Sequence, residues 1–514
     1  MSRTEYAAKN FMWFTISTIL STALGFISRT IFIYILGTTY LGVNGLFTNI
    51  LSMLSLTELG VGEAINFSLY KPLADKDEKK LCGLMIFYRN AYRRIALVVT
   101  VLGVSIIPFL NILVKNENGI THIHLIYLIF LFNTVTSYLF SYKTTLLVAD
   151  QKSYLLTNIN MVVSVITLII QMIVLVVFRN YILYLISTSI IGLLKNFYAK
   201  NYINNMYTYL LDKNCERLSK KETLSIISKV KAMMFHKVGD VCIYQTDNII
   251  TSVFINVTTV GLVSNFTMII DMINRFVMGF FNAASAGLGN LIATEDENKR
   301  LDVFKKYDFF AFCFFGWTSI CLYFLLTPFI TIWIGVDKLI DNITVALLCT
   351  NYYLTGMRVP LGNVKAAAGV FEQDKWAPII QSIINLLISI VGAIKLGLPG
   401  IYIGTLTSSL VPNIYRPLVV YKHIFKTSSM DYFKQYIRRI FSIVICVCII
   451  AFIINSTLIN SNIWVYLIGT STICLLLPNI LLIVFFRKTL EFQYVIYIKT
   501  MLLRKIRKKL FIDK

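Results

Sequence analysis

An all-α polytopic membrane fold of about 14 transmembrane helices is predicted by three features of the sequence. Of 514 residues, 57% are hydrophobic and only 14% charged. Apolar runs of about 18 to 25 residues recur from end to end, each long enough to cross hydrocarbon as a helix. Lys and Arg collect in every second gap between those runs, as they do in cytoplasmic loops. A bilayer core offers no hydrogen bonds to free backbone groups, so each run must be helical; a β-barrel would show alternating segments of about ten residues.

In chain order, spans 1 (11–36) and 2 (43–69) flank a short external loop, "TTYLGV". The basic stretches "DKDEKK" and "RNAYRR" put the next connection inside. Spans 3 (94–114) and 4 (125–147) bracket the external loop "NENGITHIHL", and spans 5 (154–178) and 6 (181–203) complete a first six-helix lobe, residues 1–203. A basic cytoplasmic linker, 204–237, carries "ERLSKKETLSIISKVK". Spans 7 (238–256), 8 (261–293), 9 (307–334), 10 (343–367), 11 (377–396) and 12 (400–421) form a second lobe, 238–421. Two further helices follow within 422–486, at 440–458 and 462–486, and a basic cytoplasmic tail, 487–514, ends the chain. Both termini are expected in the cytoplasm. The opening "MSRTEYAAKNFMWF" reads as part of an uncleaved first span, because the apolar run continues past Arg29 without a small-residue cleavage site.

The net charge of +22 lies almost wholly on the expected inner side, where it sets topology and attracts anionic lipid, so nucleic acid is not an expected partner. Nine cysteines are scattered, seven within spans, and predict no disulfide framework. His122 and His124 lack acidic or thiol company, so no metal site is expected. There is no GxxxxGK[ST] stretch, which leaves an ion gradient or the ligand's own gradient as the energy source. No catalytic residues or cofactor are expected.

Internal repetition adds a symmetry. "TTYLGVNGLFT" (Thr38–Thr48) returns as "TTVGLVSNFT" (Thr258–Thr267), with one residue dropped. Six spans separate the copies, so the two lobes enter the membrane in the same sense and are expected to be related by a pseudo-two-fold along its normal. The last two helices fall outside the repeat.

The stretch "SRTIFIYILGTTYLGVNGLFTNILSMLSLTELGVGEAINFSLYKPL", the phrase "QTDNIITSVFINVTTVGLVSNF" and the fourteen-span plan resemble the Wzx-type oligosaccharide flippases of the MOP superfamily, relatives of lipid II flippases and MATE exporters. The resemblance implies a transporter that turns undecaprenyl-diphosphate-linked oligosaccharide repeat units from the cytoplasmic to the outer leaflet by alternating access, for capsule, exopolysaccharide or O-antigen synthesis. It also implies membrane lipids, a polysaccharide polymerase and chain-length machinery as partners.

A diphosphate ligand calls for a cationic cavity, and arginine suits it because its planar fork binds phosphate bidentately and keeps its charge. The substrate-binding candidates are Arg29, Arg275 and Arg358. Arg29 lies roughly 12 Å below the outer end of span 1 with no obvious local partner, so ligand contact and snorkelling both stay open. Asp271 and Arg275 are spaced to pair along span 8. Arg358, beside Pro360 on span 10, is expected to face water. Lys195, Lys365 and Arg416 read as interfacial anchors.

Ion coupling has as candidates Asp247, Asp240, Asp271, Glu58, Glu63, Asn385 and Thr405. Glu58 and Glu63 sit beside Gly60 and Gly62, which suits a buried hinge or a proton carrier. A sodium site like that of some lipid II flippases, among spans 7, 11 and 12, is implied by the resemblance through Asp240 or Asp247, Asn385 and Thr405, although span 11 has no carboxylate. Sodium, proton and no coupling all stay open.

Two other functions compete. A membrane-bound polymerase or ligase would need acids or a sizeable loop on the outer face, and the longest external segment is about ten residues. A MATE-like exporter of cationic drugs or metabolites would want a cavity dominated by acids, whereas these spans supply arginines at least as readily.

Overall fold

The computed structural model describes residues 3–58, 61–115, 120–211, 215, 218–370, 372–458, 461–497 and 500. Among them every regular element is a helix. Ten stretches of the described residues are long and apolar enough to cross a membrane, so the chain is a multi-pass membrane protein. The polypeptide divides into two compact units, Met1–Ser264 and Asn265–Lys514.

Unit 1 opens with α1 (Arg3–Leu54), which turns at Gly37, where φ is 80° and ψ 177°. Glycine adopts that φ without a steric penalty, so the expected loop "TTYLGV" is instead a one-residue corner with helix on both sides. Span 2 therefore comprises the second leg of α1, a 3-10 turn (Ser55–Glu58) and α2 (Val61–Asp75). The remaining helices are α3 (Glu78–Ile106), α4 (Leu110–Leu113), α5 (Ile123–Ala149), α6 (Ser153–Phe178), α7 (Tyr181–Met206), α8 (Lys220–Phe254) and the start of α9 (Val257–Thr294). Their ends are chemically marked. Asp77 caps α3 by accepting from the Lys80 amide at 3.0 Å, and Asn180 caps α7. The compact division falls inside α9 rather than at the linker because α8 packs against α1 and α2.

Two links tie the linker to the start of α3. Lys80 Nζ lies 2.8 Å from Glu222, which also closes a capping box with Ser219. The bond from Lys80, then those from Ser219, hold the Glu222 carboxyl down at about 2. Cys82 and Cys215 form a disulfide with Cα atoms 5.4 Å apart, across 133 residues of sequence. This corrects the reading of the cysteines as unpaired. Spacing carries no information about a meeting between α3 and a linker residue 133 positions away. Protease cleavage between the two positions is expected to leave fragments that migrate together without reductant and apart in Cys82→Ser.

Unit 2 continues α9 and adds α10 (Glu297–Ile334), α11 (Asn342–Met357), α12 (Val359–Ala367), α13 (Ala377–Leu396), α14 (Leu398–Val420), α15 (Met430–Thr457) and α16 (Ile463–Phe486). Span 10 is thus two helices joined at Arg358, with Pro360 in the first turn of α12, a position that has no amide bond to lose. α13 and α14 approach backbone to backbone through Gly392 and Gly400, where a Cβ on either would meet the other's carbonyl at 2.1–2.3 Å. One core gathers Phe304, Leu361, Val420, Phe425 and Tyr432; a second joins α10 to α15 and α16 through Ile320, Ile450 and Cys474.

Candidate functional site

In unit 1 the two copies of the repeat touch each other. Gly42 lies against the Val257 carbonyl and Gly261 against the Thr38 carbonyl, so tightly that an added Cβ would stand 1.8 Å and 2.0 Å away. Thr39 Oγ1 meets Thr258 Oγ1 at 3.0 Å, across 219 residues. Gly42 and Gly261 are the same distance apart in sequence, as are Thr38 and Val257, so the contact is reciprocal. The aligned register therefore runs without a gap through the glycines. Around it Val43, Leu46, Val257 and Val260 are fully buried.

About one helical turn beyond Gly261, Ser264 receives Arg29. The Arg29 guanidinium donates to Ser264 Oγ, which in turn donates to the Gly261 carbonyl at 2.7 Å. The half-buried arginine is thus drawn across to α9 instead of reaching along its own helix, and it does have a local partner. Its charge also acts on the Tyr184 hydroxyl. Beside it four rings pack edge to face or tilted: Phe32 on Tyr181 and Tyr184 with centroids 5.8 and 5.3 Å apart, and Tyr40 on Tyr181 at 4.7 Å. A fixed guanidinium flanked by aromatic walls can bind a phosphate and limit water around it.

The other candidates are placed differently. Glu58 accepts from the Tyr92 hydroxyl at 2.9 Å, in the 3-10 turn that interrupts span 2. The side chains of Glu63 and Asp240 lie outside the described residues. Asp247 lies on α8 in unit 1, and its backbone carbonyl accepts from Thr251 Oγ1. In unit 2, Asn385 Nδ2 donates to Thr405 Oγ1 at 3.2 Å, and Asn385 is fully buried. Asp271 and Arg275 are both exposed on α9, and among the described residues no ion pair joins them. Arg358 is only 9% exposed, with its guanidinium on Thr355 Oγ1 at 2.9 Å. The break before α12 turns it into the packed interior, not toward water.

Two of the three cations read as anchors, Lys365 and Arg416, prove to be paired. Asp374, 1% exposed, accepts from Lys365 at 2.7 Å on both oxygens and lies 3.4 Å from Arg416 Nε. These two cations are therefore locked inside unit 2 and do not serve as interfacial anchors. The acidic turn "EQD" that follows α12 is the available signal. Asp308 on α10 and Arg439 on α15 form a second buried pair, with both side chains 3% exposed. Both sit at the edges of predicted spans, where a charge passes for a loop residue.

No family model matches the chain, and no curated protein matches its sequence. Solved structures do. A lipid II flippase, MurJ, in an inward closed conformation aligns with TM-score 0.63 at 17% identity, over 93% of this chain and 99% of that one. An inward-facing MATE family multidrug resistance transporter of the MOP superfamily aligns at 0.62 and 13% identity, over 79% and 96%. The Vibrio cholerae MATE transporter VcmN in the bent form aligns at 0.55 and 15%, over 82% and 97%. The fold is the one these transporters share. At such identities the likeness speaks of architecture, and the expected all-α polytopic fold is the one observed.

Proposed function

We propose that the chain is a flippase, not an enzyme, that moves undecaprenyl-diphosphate-linked oligosaccharide repeat units from the cytoplasmic to the outer leaflet of the bacterial plasma membrane by alternating access. The observation that carries this reading is coverage. Both fold types account for nearly all of their own chains, but the MATE transporters align with 79% and 82% of this one and the lipid II flippase with 93%. The extra length favours a lipid flippase over a drug exporter as the closer functional model. Arg29 supports the same reading, since a guanidinium held beside the repeat contact supplies the bidentate donor that a diphosphate needs.

In this mechanism Arg29 meets the diphosphate while the prenyl chain stays in lipid. Arg358 holds the α11–α12 junction. Arg29→Ala is expected to reduce flipping by about tenfold or more, the loss of a charge-assisted pair, whereas Arg29→Lys retains part of it. The measurement is the appearance of lipid-linked oligosaccharide on the outer face of cells lacking any substitute flippase. Full activity of the alanine variant at normal protein levels would overturn the role of Arg29, and normal export in cells without the protein would overturn the function itself.

A further inference from the structure

Within unit 1, α5, α6 and α7 enclose a cavity of about 230 Å³ near the end of the bundle where α5 finishes and α6 begins. Its wall carries Ser137, Ser141, Thr144, Asn160, Lys195 and Asn196. So many polar groups between three membrane-spanning helices require water or a polar ligand, because hydrocarbon satisfies none of them. The hydroxyls of Ser137, Ser141 and Thr144 donate to carbonyls of their own helix, at 2.7–2.9 Å. The donors left to a ligand are the Lys195 ammonium and the two asparagine amides.

The charge around the cavity is one-sided. Lys195 is the charged residue of the wall, and Lys143, next to Thr144 in sequence, donates its ammonium to Asn204 Oδ1. Lys200 lies over the Phe197 ring at 5.8 Å, and Phe197 packs edge to face at 5.2 Å on Phe140, another wall residue. Among the described residues, none of Lys143, Lys195 and Lys200 forms an ion pair, whereas Lys80 and Lys152 in the same unit each have a carboxylate. Alongside the lining residues, α7 exposes Leu194, Phe197 and Tyr198 at 64%, 50% and 60%. An anion is wanted in the cavity and an apolar chain is accommodated at its edge.

We propose that this cavity binds the phosphodiester headgroup of an anionic lipid, with Lys195 meeting the phosphate, Asn160 and Asn196 completing its donors, and the acyl chains lying along α7. Basic pockets between transmembrane helices recognise lipid headgroups in this way. The site is separate from Arg29 and stands whether or not the transport reading does.

The test is native mass spectrometry of the full-length protein in detergent, titrated with phosphatidylglycerol or with phosphatidylcholine. Wild type is expected to retain phosphatidylglycerol in preference. Lys195→Gln should weaken that retention about fivefold, and Lys195→Arg should keep it. Should Lys195→Gln fail to give monodisperse protein, Asn160→Ala, at the open edge of the cavity, is expected to weaken retention in the same direction. Equal retention of the two lipids, or retention unchanged in a folded variant, would overturn the proposal. Displacement of the lipid by millimolar inorganic phosphate would also overturn it, by assigning the site to a free anion.

Discussion

Gly42→Ala is expected to lower the thermal stability of the detergent-solubilised protein more than an alanine at any open helical glycine. Its Cβ would stand 1.8 Å from the Val257 carbonyl oxygen and 3.0 Å from the Gly261 nitrogen. Backbone meets backbone there, so no rotamer change relieves the clash. The two helices must separate, and in doing so they give up the Thr39–Thr258 contact and loosen the buried valines around it. Overpacking of this kind costs about 1–3 kcal/mol, and the absence of any flexible neighbour places Gly42 at the upper end. Gly261→Ala should behave alike, since its Cβ would lie 2.0 Å from the Thr38 carbonyl. The double variant should cost less than the two singles added, because one separation relieves both clashes. Gly192→Ala is the control. Nothing lies within 4 Å of a Cβ there, so alanine should be neutral or gain up to about 1 kcal/mol of helix propensity. Equal melting temperatures for Gly42→Ala and Gly192→Ala would show that the crossing is looser than described.

Arg439→Ala is expected to have a comparable or larger effect in unit 2. It would strand the Asp308 carboxylate, whose side chain is 3% exposed, and an uncompensated buried charge costs about 3–5 kcal/mol. The guanidinium also lies over the rings of Phe309 and Phe312, 5.6 and 5.5 Å from their centroids, so its loss removes packing between α10 and α15 as well. Asp308→Ala should be similarly harmful. Replacing both residues by leucine should recover most of the stability, because two well-packed apolar groups carry no desolvation penalty. A double-mutant cycle on melting temperature measures the coupling. If each single variant were as stable as the double, the pair would not be shielded from water.

How far the sequence reaches depends on the kind of information each feature needs. Helix class and span positions rest on local apolar runs, and Ser153–Phe178 or Ile463–Phe486 match their predicted spans within a few residues. The 3-10 turn inside span 2 and the Arg-Val-Pro junction inside span 10 are hidden within long apolar runs, as is the one-residue corner at Gly37 where a loop is expected. The site divides the same way. Arg29 stands out because a charge in an apolar run is conspicuous, but its partner Ser264 is an ordinary serine 235 residues away. Asp308 and Arg439 are 131 residues apart, each unremarkable at a span edge. Partnerships of that range are decided by helix packing.

The reciprocal contact of Gly42 with Gly261 has one more consequence, because its 219-residue offset assigns every nearby position a counterpart. Ser264 corresponds to Gly45, and Arg29 corresponds to Asn248, whose Nδ2 lies 4.0 Å from a Cβ built on Gly45. The same two places on the two repeats therefore face each other in the same way, yet one side carries an arginine with its serine and the other an asparagine with a glycine. The symmetry is kept in the backbone and broken in the charge. The repeat supplies the frame, and a difference at a single pair within it sets an arginine on one repeat where the other has an amide.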